Sequence, residues 1–196
     1  ARSRPGDASR AVAYRAEAHA IAQRVLSLYV EGRGYWRARY QNGSEVAVRH
    51  VIDFVYLSEF MSDWLGARRV GEMARFVHDE LLTDTWMRAL SLADPAAPAS
   101  DRTDHGPYGA YDGWVPLTVA ALARGGNHSS AADFLRRTSF VTTLGPYGQA
   151  HGVADPYLRS STTYKPFEYT LSNEHGGTDF VDAIITSIFG LQPAVN

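Results

Sequence analysis

The chain has 196 residues, 45% hydrophobic and 20% charged, with 19 basic against 21 acidic side chains and a formal charge of −2. This composition predicts a chain that buries a sizeable core and excludes wholesale disorder. The near-neutral balance gives no counterion-release drive toward nucleic acid and no basic patch for a membrane surface. Cysteine is absent, which excludes disulfides, thiolate metal sites and a cysteine nucleophile, and the sole lysine, Lys165, leaves Schiff-base chemistry resting on one residue. No apolar run approaches the roughly 20 residues of a membrane span. The amino end, Ala1-Arg-Ser-Arg-Pro-Gly6, has no apolar signal-peptide core and leaves the compartment open.

The first helical period runs over about residues 7–30, where Ala11, Tyr14, Ala18, Ile21, Val25 and Leu28 recur at three- and four-residue steps. Gly32 and Gly34 stop it. A polar, aromatic loop then leads through Asn42-Gly43 to Ser44, the expected N-cap of a second helix over about 45–64. Gly66 closes that helix. A third is expected from Arg69 to about Leu92, with a break near Thr83-Asp84. Residues 94–111, rich in Pro, Gly, Ser and Asp, read as a long loop. A fourth helix covers about 112–124, with Pro116 in its first turn. A fifth follows Gly125-Gly126-Asn127 to about Thr142, a long irregular segment fills 144–177, and a sixth helix spans about 178–189. No internal domain boundary stands out, so 1–196 is one α-helical domain.

Connector lengths alternate. Helices one and two, three and four, and five and six are joined by long loops, the other pairs by short ones. Short links make neighbours antiparallel, so an up-and-down chain gathers every long loop at one end. The expected class is all-α: antiparallel helical hairpins with one decorated face, and long loops in a compact domain are usually functional.

The first junction carries Arg49 and His50, with Asp53 three residues further on the same helix face. These three read equally as a polar cluster facing a pocket or as a buried ion pair of Arg49 with a nearby acid. The second junction places Asp101, Arg102, Asp104, His105, Tyr111, Asp112 and Trp114 within fifteen residues. Carboxylates and guanidinium groups grip hydroxyls while flat aromatic faces cover a pyranose ring, so this mixture suits a sugar site. Its bland reading makes Asp112 an N-cap and Asp94 a turn former. The third junction holds Gln149, His151, Glu168, Glu174 and His175 ahead of Gly176-Gly177, where Glu174 either faces a ligand or complements a helix N-terminus. No phosphate-cradling loop, dinucleotide fingerprint, nucleophile elbow or zinc helix is present. A metal at His50, Asp53 and His105 has no compact ligand motif behind it, and no cofactor is expected.

Several runs together resemble the six-hairpin glycosidases, in the late part of their catalytic domain. They are Tyr40-x-Asn42-Gly43, Arg49-His50-x-x-Asp53-Phe54, Glu72-Met73, residues 85–91 (Thr-Trp-Met-Arg-Ala-Leu-Ser), residues 102–111 (Arg-x-Asp-His-Gly-x-x-Gly-Ala-Tyr), Trp114-x-Pro116 and residues 145–151 (Gly-Pro-x-Gly-Gln-Ala-His). The similarity spans roughly 35–190. It departs from the family at Asn173-Glu174-His175, where a run of smaller residues is expected. The resemblance implies an (α/α)6 toroid of twelve helices, of which this chain supplies about six. A second polypeptide or a second copy would then complete the ring, the former favoured, because half a ring leaves its inner apolar faces open.

The resemblance further implies glycoside hydrolysis, inverting in most toroids, by two carboxylic groups. Asp104 is the first catalytic candidate, Glu174 the second, with Asp53 and Asp101 in reserve. Substrate contacts are expected from Arg49, His50, Arg102, His105, Tyr111, Trp114, Gln149, His151, Glu168 and His175. Two rivals stand beside this reading. One is a polysaccharide lyase on the same fold, with Arg49 or Arg102 neutralising a uronate and His105, His151 or Tyr111 near the base position. The other is a non-catalytic subunit of a carbohydrate-active complex.

Overall fold

The computed structural model describes residues 7–84, 86–100, 105–107, 109–110, 113–142 and 175–191. It is mostly helical, in the order α1 (Asp7–Leu26), β1 (Trp36–Arg39), β2 (Glu45–Val48), α2 (Val51–Phe60), α3 (Ser62–Phe76), α4 (Trp114–Arg124), α5 (His128–Thr142) and α6 (His175–Asp182). Among the described residues no helix is long and apolar enough to cross a membrane.

The expected loop after the first helix contains a β-hairpin. β1 and β2 pair antiparallel, Trp36 opposite Val48 and Arg39 opposite Glu45. Asn42 and Gly43 make the turn: Gly43 takes φ 84°, and the Asn42 Oδ1 accepts from the Ser44 amide at 3.0 Å. Ser44 therefore serves the hairpin rather than capping a helix. The alternation Glu45-Val-Ala-Val48 has the period of a strand, and it runs directly into an apolar helix, which extends the helical reading over it. α2 begins at Val51 and is interrupted at Met61, so the expected helix over 45–64 is a strand, a ten-residue helix and the start of α3.

Gly66, inside α3, adopts φ 69°, ψ 156° and kinks the helix where the sequence places a stop. The third helix ends earlier than expected. α3 passes into a π-helical turn, Val77–Leu81, and the described residues of 82–100 are extended or irregular apart from a 3-10 turn at Ala97–Ala99. Trp86 and Leu90, expected on a helical stripe, are buried instead along an extended segment whose backbone bonds to two neighbours.

α4 organises the core. Trp114, Val115, Val119, Ala121 and Leu122 are all buried, and the Thr118 hydroxyl donates to the Trp114 carbonyl at 2.6 Å, so its polar group is satisfied within the helix. α2, α5 and α6 each pack against α4, and α3 packs against α2. α6 continues as a second π-helical stretch, Ala183–Ile188. The outward faces carry large exposed apolar groups: Ile52, Tyr56 and Phe60 on α2, and Val181, Ile185, Ile188 and Phe189 on and after α6.

Candidate functional site

Extended backbone joins the first two long junctions. The Val51 amide donates to the Ala89 carbonyl at 2.9 Å, and the Ser91 amide to the Arg49 carbonyl at 2.9 Å. On the other side of the same segment the Ala89 amide donates to Gly109 at 2.8 Å and the Leu90 amide to Gly106 at 3.1 Å. Residues 89–91 thus lie between 49–51 and the glycines Gly106 and Gly109, and this places His50 beside His105.

The two imidazoles are stacked with centroids 5.7 Å apart, and each meets Trp114 edge-on, at 4.7 Å for His50 and 4.5 Å for His105. His50 is also the N-cap of α2: its backbone is extended (φ −115°, ψ 149°) and its Nδ1 accepts from the Ile52 amide at 3.0 Å. That bond assigns the neutral Nε2–H tautomer. His50 therefore does not sit within the helix, as its spacing from Asp53 suggests, but one residue before it.

Asp53 stands in the first turn of α2 and is half-buried. Among the described residues its carboxylate meets no hydrogen-bond donor and no cation. Burial pushes its pKa up from 3.8 to about 6. A carboxylate near a helix N-terminus normally gains from the macrodipole; here desolvation outweighs that gain.

Arg49 follows the bland reading. Its guanidinium pairs with Glu80 at 3.2 Å, donates to the Tyr35 hydroxyl at 3.1 Å and lies over the Tyr35 ring. Glu80, on the π-helical turn, also accepts from the Ser91 hydroxyl. The Arg49 amide donates to the buried Asp94 carboxylate at 2.8 Å, and Asp94 also accepts from the Ala96 amide, so it holds the turn leaving the junction. Tyr35, Glu80 and Ser91 carry no signal in the sequence, because Arg49 and Glu80 are 31 residues apart and no local period links them. Arg88, nearly buried, lies over the Trp86 ring and donates to the Pro107 carbonyl at 2.6 Å, which ties the two flanks of the site together.

Next to this junction lies an open groove of about 420 Å³ lined by Asp79, Glu80, Thr83, Asp84, Arg88 and Ser91 among others. Further off, Glu72 accepts from the Tyr29 hydroxyl at 2.5 Å, the Gly32 amide at 3.1 Å and Arg68 at 2.7 Å. These donors, Tyr29 first, hold its carboxyl below the ordinary range, while burial raises the Tyr29 phenol. This is a structural knot that ties the glycine turn after α1 to α3.

Of the residues singled out in the sequence, His50, His105 and Trp114 are brought together, Arg49 is engaged with Glu80 and Tyr35, and Asp53 lies in the first turn of the helix that His50 caps. Asp101, Arg102, Asp104, Tyr111, Gln149, His151, Glu168 and Glu174 lie outside the described residues, and His175 is placed only as the first residue of α6. Among the described residues no group of three His, Asp or Glu side chains is arranged to hold a metal ion. Comparisons with protein-family models, curated proteins and solved structures find no match.

Proposed function

We propose that this chain contributes part of the active site of a glycoside hydrolase built on an (α/α)6 toroid and acting on an oligo- or polysaccharide. The meeting of the first two long junctions carries the reading. Their backbones interlock, and they bring two imidazoles and an indole together one helical turn from a half-buried acid. Flat rings suit the apolar face of a pyranose, and a desolvated carboxyl suits proton transfer near neutral pH.

Hydrolysis with inversion needs a protonated acid beside the leaving oxygen and a carboxylate base that activates water, about 6.5–9.5 Å apart. Asp104, one residue from His105, remains the first candidate for one of these roles, with Glu174 and Asp101 as alternatives. The lyase alternative is less well supported, because the Arg49 guanidinium is already engaged by Glu80 and Tyr35 rather than open to a uronate. The exposed apolar faces of α2 and α6, the two helices that flank α4, support a second polypeptide or second copy completing the ring.

The test is turnover of an oligosaccharide panel by the protein and by Asp104→Asn, with new reducing ends and near-ultraviolet absorbance followed together. New reducing ends that fall about 10²–10⁴-fold in the variant support the reading. An absorbing, unsaturated product favours the lyase, and no turnover of any glycan favours the non-catalytic subunit.

A further inference from the structure

We propose that Asp53 is the proton donor of this site, the carboxyl group that protonates the departing glycosidic oxygen. The inference rests on the glycosidase reading and assigns within it a role that the sequence motifs leave open.

Asp53 differs from the other acids near the core in having no partner among the described residues. Among the described residues, every other acid that is buried or half-buried has a partner. Glu72 is held by Tyr29, Gly32 and Arg68; Glu80 by Arg49 and Ser91. Asp94 binds two backbone amides, Asp133 pairs with Arg136 and Arg137, and Asp179 also has a partner. Asp53 alone has none. A partly desolvated carboxylate without a donor is costly, and folds retain such groups where a ligand or a proton satisfies them.

Local geometry explains how Asp53 is left free. An acid at the third position of a helix commonly reaches back to the amide of the cap residue. Here the cap is an imidazole that already serves the Ile52 amide, and Asp53 makes no return bond. Asp53 is the third residue of the helix that His50 caps, within its first turn, and His50 touches both His105 and Trp114. The elevated pKa of about 6 keeps a useful fraction of the acid protonated near neutrality.

In the step itself, the Asp53 proton passes to the glycosidic oxygen as the bond between that oxygen and the anomeric carbon breaks. The bonding electron pair leaves with the oxygen as the alcohol. Water adds to the anomeric carbon, and a second carboxylate takes its proton. Asp53 is left ionised and regains a proton from solvent.

The experiment compares Asp53→Asn with the parent chain on methyl glycosides, whose leaving group needs a proton, and on dinitrophenyl glycosides, whose leaving group does not. The proposal expects about a 10³-fold loss on the first class and less than about 10-fold on the second. It also expects an unchanged or higher melting temperature at neutral pH, because a half-buried, unpaired charge has been removed. Equal losses on both classes, or no loss on either, overturn the proton-donor role and leave the hydrolase reading standing. A parent chain inert toward both classes overturns the hydrolase reading, and this role with it.

Discussion

Asp53 and Glu72 are both acids close to the core, and they titrate in opposite directions because one has donors and the other does not. The consequence for stability is a matter of sign. The folded pKa of Asp53 is raised from 3.8 to about 6, so the folded state holds this proton to higher pH than the unfolded chain does. Its favourable contribution is complete below the unfolded value and is lost as pH rises through the folded one. Asp53→Asn should therefore stabilise the protein by about 1–2 kcal/mol near pH 7.5, a figure discounted for the partial exposure of the group, and by almost nothing below about pH 4. Urea unfolding at both pH values checks this, and an equal effect at the two would show that burial does not set the titration. Asp53 was named in the sequence as one of four acids with catalytic potential, yet its distinction from the others was not legible there. A missing partner is a property of three-dimensional surroundings, and only the fold shows that Arg49, four residues away, is committed to Glu80 instead.

The hairpin and the junction behind it show at the element scale which signals a sequence carries. Asn42-Gly43 reads in the sequence as part of a loop before a helix, although the alternation on either side of it has the two-residue period of paired strands. Because Glu45-Val-Ala-Val48 abuts the apolar stretch of α2, a helical period absorbs it. α5 and the buried core of α4 follow their periodicity, bounded by glycine and proline signals, whereas α1 stops at Leu26, short of the expected residue 30, and Tyr14 and Ile21 of its expected apolar stripe are exposed. The segment after Leu81 departs from its period, because its backbone pairs with 49–51 and with Gly106 and Gly109, contacts that no local pattern encodes. Gly34 is the position where chain geometry is tightest. It takes φ 77°, and a Cβ there would stand 2.1 Å from the Glu72 carbonyl oxygen. Gly34→Ala should cost more than about 2 kcal/mol in thermal or urea unfolding. A loss within experimental error would mean that the turn and α3 are not held together as described.

For the whole molecule, the expectation of a mostly helical chain holds among the described residues. Backbone bonds tie 89–91 to 49–51 on one side and to Gly106 and Gly109 on the other. The third junction, with Gln149, His151, Glu168 and Glu174, lies outside the described residues. The flanks give the other large-scale observation. Phe60 on α2 and Phe189 after α6 are 67% and 70% exposed, and both belong to runs of apolar neighbours. Surfaces of this kind commonly mark association sites. Sedimentation of the chain at micromolar concentration should accordingly show self-association or a companion polypeptide, and a stable monomer would count against the incomplete ring. The apolar character of α2 was legible in the sequence. Which of its faces packs on α4 and which is left open was not, because that depends on where its neighbours sit.

Proton NMR of the first sugar released from an oligosaccharide, at a pH near 6, tests the central claim most directly. Hydrolysis that yields a reducing sugar of inverted anomeric configuration, abolished in Asp53→Asn and in Asp104→Asn, is the result expected of an acid–base pair at this junction. An unsaturated sugar, or activity that survives both substitutions, would contradict it.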